Sequence, residues 1–129
     1  MMARSFIPIT WTIMIIVLLC LPGTMLPSEE GFSIPNFDKF VHITLFGGFV
    51  FLWGFYFNSK KYSLRKKMIL FFIVYLISNA MGIGLEFVQK CCIPFRDFSL
   101  GDIIADMTGA GIGYGICNLF LIGENPPGI

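Results

Sequence analysis

The stretch Met68–Val88, MILFFIVYLISNAMGIGLEFV, decides the fold, an apolar run with Asn79 and Glu86 inside it. A helix needs about 20 mostly apolar residues to cross the hydrocarbon core of a bilayer. The β-branched and aromatic residues of the run do not alternate with polar ones, as a half-buried strand requires. Open strands would also leave unpaired edges in lipid. The segment therefore reads as a transmembrane helix.

Working outward, three more stretches have the same character. One spans Phe6 to Leu21 and ends at Pro22-Gly23, a helix-stopping pair. Another spans Phe40 to Phe57, with His42 as its strongly polar residue. The last spans Leu100 to Ile122 and carries Asp102 and Asp106 near its start. Together they predict one all-α domain over residues 1–129, a four-helix transmembrane bundle. Composition agrees: 56% of the 129 residues are hydrophobic and 13% are charged, too apolar for an ordinary soluble domain. Nucleic-acid binding is excluded as an expectation, because it would need a basic face on a soluble fold.

Arg4 before an apolar run also suits a signal peptide, but no small-residue cleavage site follows. Leu19 precedes Cys20, where a lipoprotein signal would carry a small residue. A retained first helix is the expectation. Lys60, Lys61, Arg65, Lys66 and Lys67 cluster between the second and third helices, and Arg4 falls on the same side. The positive-inside rule then places both termini and this connection in the cytoplasm of an inner-membrane protein. Segments 22–37 and 91–99 face outward.

This topology gathers the helix-associated polar residues in one outer layer. Asp38, Lys39 and His42 open helix two, Glu86, Gln89 and Lys90 close helix three, and Asp102 and Asp106 open helix four. Arg96 and Asp97 lie in the outer loop. Asp38 and His42 are i,i+4, as are Asp102 and Asp106, so each pair shares a helix face. One stripe runs through Asn79, Gly82, Glu86 and Gln89, and a second through Asp102, Asp106, Gly109 and Gly113. Both should turn inward, because an acid facing lipid costs on the order of 3 kcal/mol at the helix centre. The repeats Gly109-xxx-Gly113 and Gly111-xxx-Gly115 would let helix four approach a neighbour closely, or a second copy of the chain through the Gly109–Gly115 face.

The order Asp38-Lys39-Phe-Val-His42, Glu86-x-x-Gln89, Pro94-x-Arg96, Asp102-x-x-x-Asp106-x-x-Gly109 resembles the VanZ-like membrane proteins. The resemblance runs from helix two onward. The family usually carries Asn where this chain has Asp106, which adds an acid here. It takes its name from a protein linked to teicoplanin resistance. The resemblance implies a membrane protein of the bacterial cell envelope, and it supplies no biochemical activity.

The expected ligand-binding set is Asp38, Lys39, His42, Glu86, Gln89, Arg96, Asp102 and Asp106, with Arg96 suited to a phosphate or carboxylate. Membrane lipids, an envelope lipid or lipid-linked precursor, and an antibiotic-related ligand are the partners considered. The competing enzyme reading uses Glu86, Asp102 or His42 as acid or base on a lipid-linked substrate. The plainest reading is an ion-pair network pinning the helix ends. His42 with Glu86, Asp102 or Asp106 could make a metal set, but one His without a tight His-Glu motif leaves no metal or cofactor predicted. Ser99 reads as an N-cap of helix four. Cys20 bridged to Cys91 or Cys92 is allowed by topology and not expected.

Overall fold

The computed structural model describes residues 2–20, 37–93 and 100–124. They form four helices, α1 (Met2–Leu19), α2 (Phe37–Asn58), α3 (Leu64–Cys92) and α4 (Leu100–Glu124). The described chain is all-helical, with each of the four apolar stretches on its own helix.

α3 is one turn longer at each end than its apolar core predicts. Ser63 is its N-cap: the hydroxyl accepts the Lys66 N–H at 3.2 Å, and the Ser63 carbonyl accepts the Lys67 N–H at 3.0 Å. The cap starts the helix ahead of Arg65, Lys66 and Lys67, so these cations belong to its first turn. At the other end the helix runs on through Lys90, Cys91 and Cys92, and the two cysteines are helical and exposed rather than in a loop. Helix formation needs no apolar side chain, which is why hydropathy understates the length of α3.

α2 and α4 form the most extensive helix pair. Glycine makes the closeness possible. A Cβ at Gly109 would collide with the Ile43 carbonyl, and one at Gly113 would lie 2.6 Å from the Gly47 carbonyl. Dispersion contacts of this kind drive helix association where no hydrophobic effect operates between helices. The second repeat behaves differently: a Cβ at Gly111 or Gly115 would meet nothing within 4 Å.

α1 leans on α2 through an indole. Trp11 lies against Gly48 and donates its Nε1–H to the Leu45 carbonyl at 2.8 Å, while Trp53 Nε1–H donates to Thr12 Oγ1 at 3.0 Å. Gln89 of α3 donates to the Leu19 carbonyl at 2.7 Å, and this carbonyl has no acceptor role left inside α1. These contacts, with Tyr75 of α3 stacked on Tyr114 of α4 at 5.0 Å, fit helices running alternately up and down. The core between them holds Ile15, Leu45, Phe46, Phe49, Val50, Val74 and Ala110.

Large apolar side chains are exposed along all four helices. Phe6 and Ile13 on α1, Phe55 on α2, Ile69, Ile77 and Phe87 on α3, and Ile104, Ile112 and Leu119 on α4 are all exposed. Proteins surrounded by water rarely expose apolar surface of this extent. Three segments, Lys39–Asn58, Leu64–Cys92 and Leu100–Phe120, are long and apolar enough to cross a membrane. The chain is a membrane protein.

Candidate functional site

The polar side chains converge where α2 and α4 begin and α3 ends. Lys39 and His42 are i,i+3 on α2, Asp102 and Asp106 i,i+4 on α4, and the two pairs face each other. They make two rungs. Lys39 Nζ is paired with Asp102 Oδ1, and one turn below it His42 Nδ1 meets Asp106 Oδ1 at 2.7 Å. His42 Nε2 lies 3.7 Å from Asp102 Oδ2, which links the rungs electrostatically but is too long for a hydrogen bond.

Burial rises steeply from the outer rung to the inner one. The Lys39 and Asp102 side chains are 30% and 14% exposed, those of His42 and Asp106 only 7% and 2%. Removing paired ions from water is costly unless their remaining hydrogen-bonding capacity is met. The inner rung meets part of it by pairing His42 with Asp106 at hydrogen-bond distance.

α3 closes the site from the side. A Cβ at Gly82 would lie 2.9 Å from Asp106 Oδ2, so the missing side chain is the space that the carboxylate occupies. Glu86, one turn along α3 from Gly82, is buried on the same stripe. Gln89 is buried as well, holding α1 through Leu19. On the other side of Gly82, Ser78 is fully buried, and its hydroxyl has no hydrogen-bond partner among the described residues.

Of the expected set, the structure brings Lys39, His42, Glu86, Asp102 and Asp106 into one cluster and places Gln89 at its α1 border. The Asp38 side chain and Arg96, with Pro94, Asp97 and Ser99, lie outside the described residues. The two predicted stripes are buried at Gly82, Glu86, Gln89, Asp106, Gly109 and Gly113, whereas Asn79 is half-buried beside the buried Ser78. Ser78 is the residue that the sequence reading missed. Its spacing, four before Gly82 and eight before Glu86, was the available signal. All four cysteines are free thiols, with Cys91 and Cys92 exposed. Among the described residues no group of three His, Cys, Asp or Glu is placed to hold a metal ion.

Chemically, the arrangement offers an imidazole whose ring is oriented by one carboxylate and whose second nitrogen faces another. Its outer rung presents one ammonium and one carboxylate at the surface. Such a group can hold a polar headgroup at the rim or pass a proton between rim and floor. Comparison of the chain with protein-family models, curated proteins and solved structures returns no match.

Proposed function

We propose that the chain is a VanZ-like integral membrane protein of the bacterial cell envelope that binds an envelope lipid, a lipid-linked precursor or an antibiotic-related ligand at its polar end. In this reading all four helices cross the inner membrane as a bundle, with both termini cytoplasmic and the Lys39–Asp102 rung extracytoplasmic. α1 supports this with 18 residues, about 27 Å of helix against a core of about 30 Å. Teicoplanin resistance is the phenotype that the resemblance attaches to such a protein.

The observation carrying the proposal is the graded pair of rungs: a part-exposed Lys39–Asp102 rim above a buried His42–Asp106 floor. Ionisable groups within a membrane-spanning segment are costly and functional by default. A merely structural lattice needs no solvent-reached rim, whereas a headgroup site does.

The test is lipid extraction from the protein purified in mild detergent, followed by mass spectrometry. The wild-type chain should retain a lipid-linked envelope precursor over bulk phospholipid, and Asp102→Asn and Glu86→Gln should lose it. Equal lipid content in wild type and both variants would overturn the binding proposal. Expression of the wild type, but not of the variants, should raise teicoplanin tolerance if the phenotype follows the site.

A second reading has its own observation. His42 is held at Nδ1, and Nε2 faces Asp102 of the rim at 3.7 Å with no hydrogen bond among the described residues, which is the posture of a general acid-base imidazole. In the enzyme reading His42, Glu86 or Asp102 moves a proton on a lipid-linked substrate. Turnover of an extracted precursor, abolished by Glu86→Gln while binding persists, would select it.

A further inference from the structure

The opposite end of the molecule carries a second concentration of chemistry that the polar site does not use. Between Asn58 and Lys67 the chain reads NSKKYSLRKK, with five cations, and no Asp or Glu occurs anywhere from residue 43 to residue 85. Lys61, Arg65 and Lys66 are exposed, and Lys60 and Lys67 are half-buried. Among the described residues none of the five forms an ion pair with a carboxylate.

Their placement adds to the imbalance. Arg65, Lys66 and Lys67 occupy the first turn of α3, with no acid there to offset them. The N-terminal turn of a helix is the positive end of its dipole, where cations are unfavourable and anions favoured. Two of the lysines are instead laid over aromatic faces: Lys60 Nζ is 4.7 Å from the Tyr56 ring centre and Lys66 Nζ 3.9 Å from that of Tyr62. A cation–π contact offsets part of an ammonium's lost hydration but does not neutralise its charge.

The surroundings bear on the chemistry of a ligand that would suit these cations. Exposed Met68 and Ile69 follow the cations on α3, exposed Leu64 lies among them, and exposed Phe55 precedes them on α2. Trp53, Tyr56 and Phe57 pack edge to face and stacked at the same level, as aromatic side chains do at a membrane–water interface. A ligand that matches basic and apolar surface within a few residues carries an anionic headgroup and acyl chains together. A soluble acidic partner would leave the apolar part unmatched.

We infer that the α2–α3 hairpin, through Lys61, Arg65 and Lys66 with Tyr56 and Tyr62, is a binding surface for the headgroup of an anionic phospholipid, whose acyl chains lie along Met68 and Ile69. The inference does not depend on which membrane face the hairpin occupies, and it stands apart from the function proposed for the polar site.

The whole chain, reconstituted in vesicles, is to be tested with spin-labelled phosphatidylglycerol and spin-labelled phosphatidylcholine by the fraction of motionally restricted lipid. The wild type should prefer the anionic label, and raising the salt should weaken the preference. Each cation near a membrane surface contributes up to about fivefold in attraction. Lys61→Gln/Arg65→Gln/Lys66→Gln should therefore reduce the preference about tenfold or more, towards none. Lys61→Arg/Lys66→Arg, which keeps the charge, should retain it. Should the triple variant lose its helicity, Lys61→Gln and Arg65→Gln singly should each still lower the preference. No preference in the wild type, or one unchanged by neutralisation, would overturn the inference. Displacement of the anionic label by millimolar glycerol phosphate alone would overturn it too, since the site would then read a free phosphate. The same holds if an acidic peptide displaces the label.

Discussion

His42 on α2 and Asp106 on α4 meet at 2.7 Å through Nδ1 and Oδ1, with both side chains almost completely buried. The pair exists because neighbouring positions lack side chains. Gly109 lets α4 reach the α2 backbone at Ile43, and Gly82 leaves room on α3 for the second oxygen of Asp106. Packing and chemistry are therefore one arrangement here, and each can be perturbed separately.

Asp106→Ala should leave the buried imidazole without its partner. Breaking a buried charged pair by removing one side typically costs about 3–5 kcal/mol. Asp106→Asn keeps the shape and one hydrogen-bonding oxygen, so its cost should stay near 1 kcal/mol, as for interhelical hydrogen bonds in membranes. Reversible unfolding in mixed micelles measures both. Equal losses for Ala and Asn would mean that His42 is held by something other than Asp106.

The glycines give a contrast within one helix. Gly109→Ala pushes a methyl group into the Ile43 carbonyl, and the separation of α2 from α4 should cost about 2 kcal/mol or more. Gly111→Ala and Gly115→Ala enter open space and should be neutral or stabilising by up to about 1 kcal/mol, because Ala is the better helix former. The same unfolding assay ranks them, and a costly Gly111→Ala would indicate that a second copy of the chain packs on that face.

That contrast also marks how much could be read from sequence. The four helices were legible because long apolar runs without alternation have few alternatives to a helix, and three of the four are long and apolar enough to cross a membrane. The cluster was legible because His42, Glu86, Asp102 and Asp106 are costly in lipid and share spacings that place them on inward faces. Which glycine repeat α2 would cover was not legible: 109/113 and 111/115 differ by two residues, and spacing treats them alike. Only the facing backbone at Ile43 and Gly47 decides between them. Ser78 was overlooked for a related reason, since a hydroxyl is cheap enough in lipid to carry no strong directional signal. The lengths of α3's ends were missed because caps and charged turns extend a helix beyond its apolar core.

The outer rung should behave differently from the inner one. Lys39 and Asp102 are part-exposed, where an ion pair contributes about 0–1 kcal/mol. Asp102→Asn should therefore leave stability within about 1 kcal/mol of the wild type while removing retained lipid-linked precursor. The exchange Lys39→Asp/Asp102→Lys should restore stability without restoring retention. Restored retention would reduce the rung to a structural clasp.

The proposed orientation is testable without the ligand. A phosphatase reporter fused near Ser28 should be active and one near Ser63 inactive, because the five cations of the hairpin favour the cytoplasmic side. The opposite pattern would place the polar site in the cytoplasm and remove any extracytoplasmic ligand from consideration.

The hold of α3 on α1 rests on Gln89, whose amide donates to the Leu19 carbonyl at 2.7 Å. That carbonyl belongs to the last turn of α1, where helical partners have run out. Gln89→Leu keeps the bulk but removes the donor, and a hydrogen bond of this kind contributes about 1 kcal/mol net. The adjacent Cys20 is half-buried, so its exposure reports the state of this end of α1. In a Cys91→Ser/Cys92→Ser background, Gln89→Leu should raise the rate of maleimide labelling at Cys20 about fivefold, the factor equivalent to that energy. Gln89→Glu, which keeps the length but cannot donate when ionised, should behave like Gln89→Leu. If neither variant changes the labelling rate, α1 is held by Trp11 and Trp53 alone, and the polar cluster ends at Glu86.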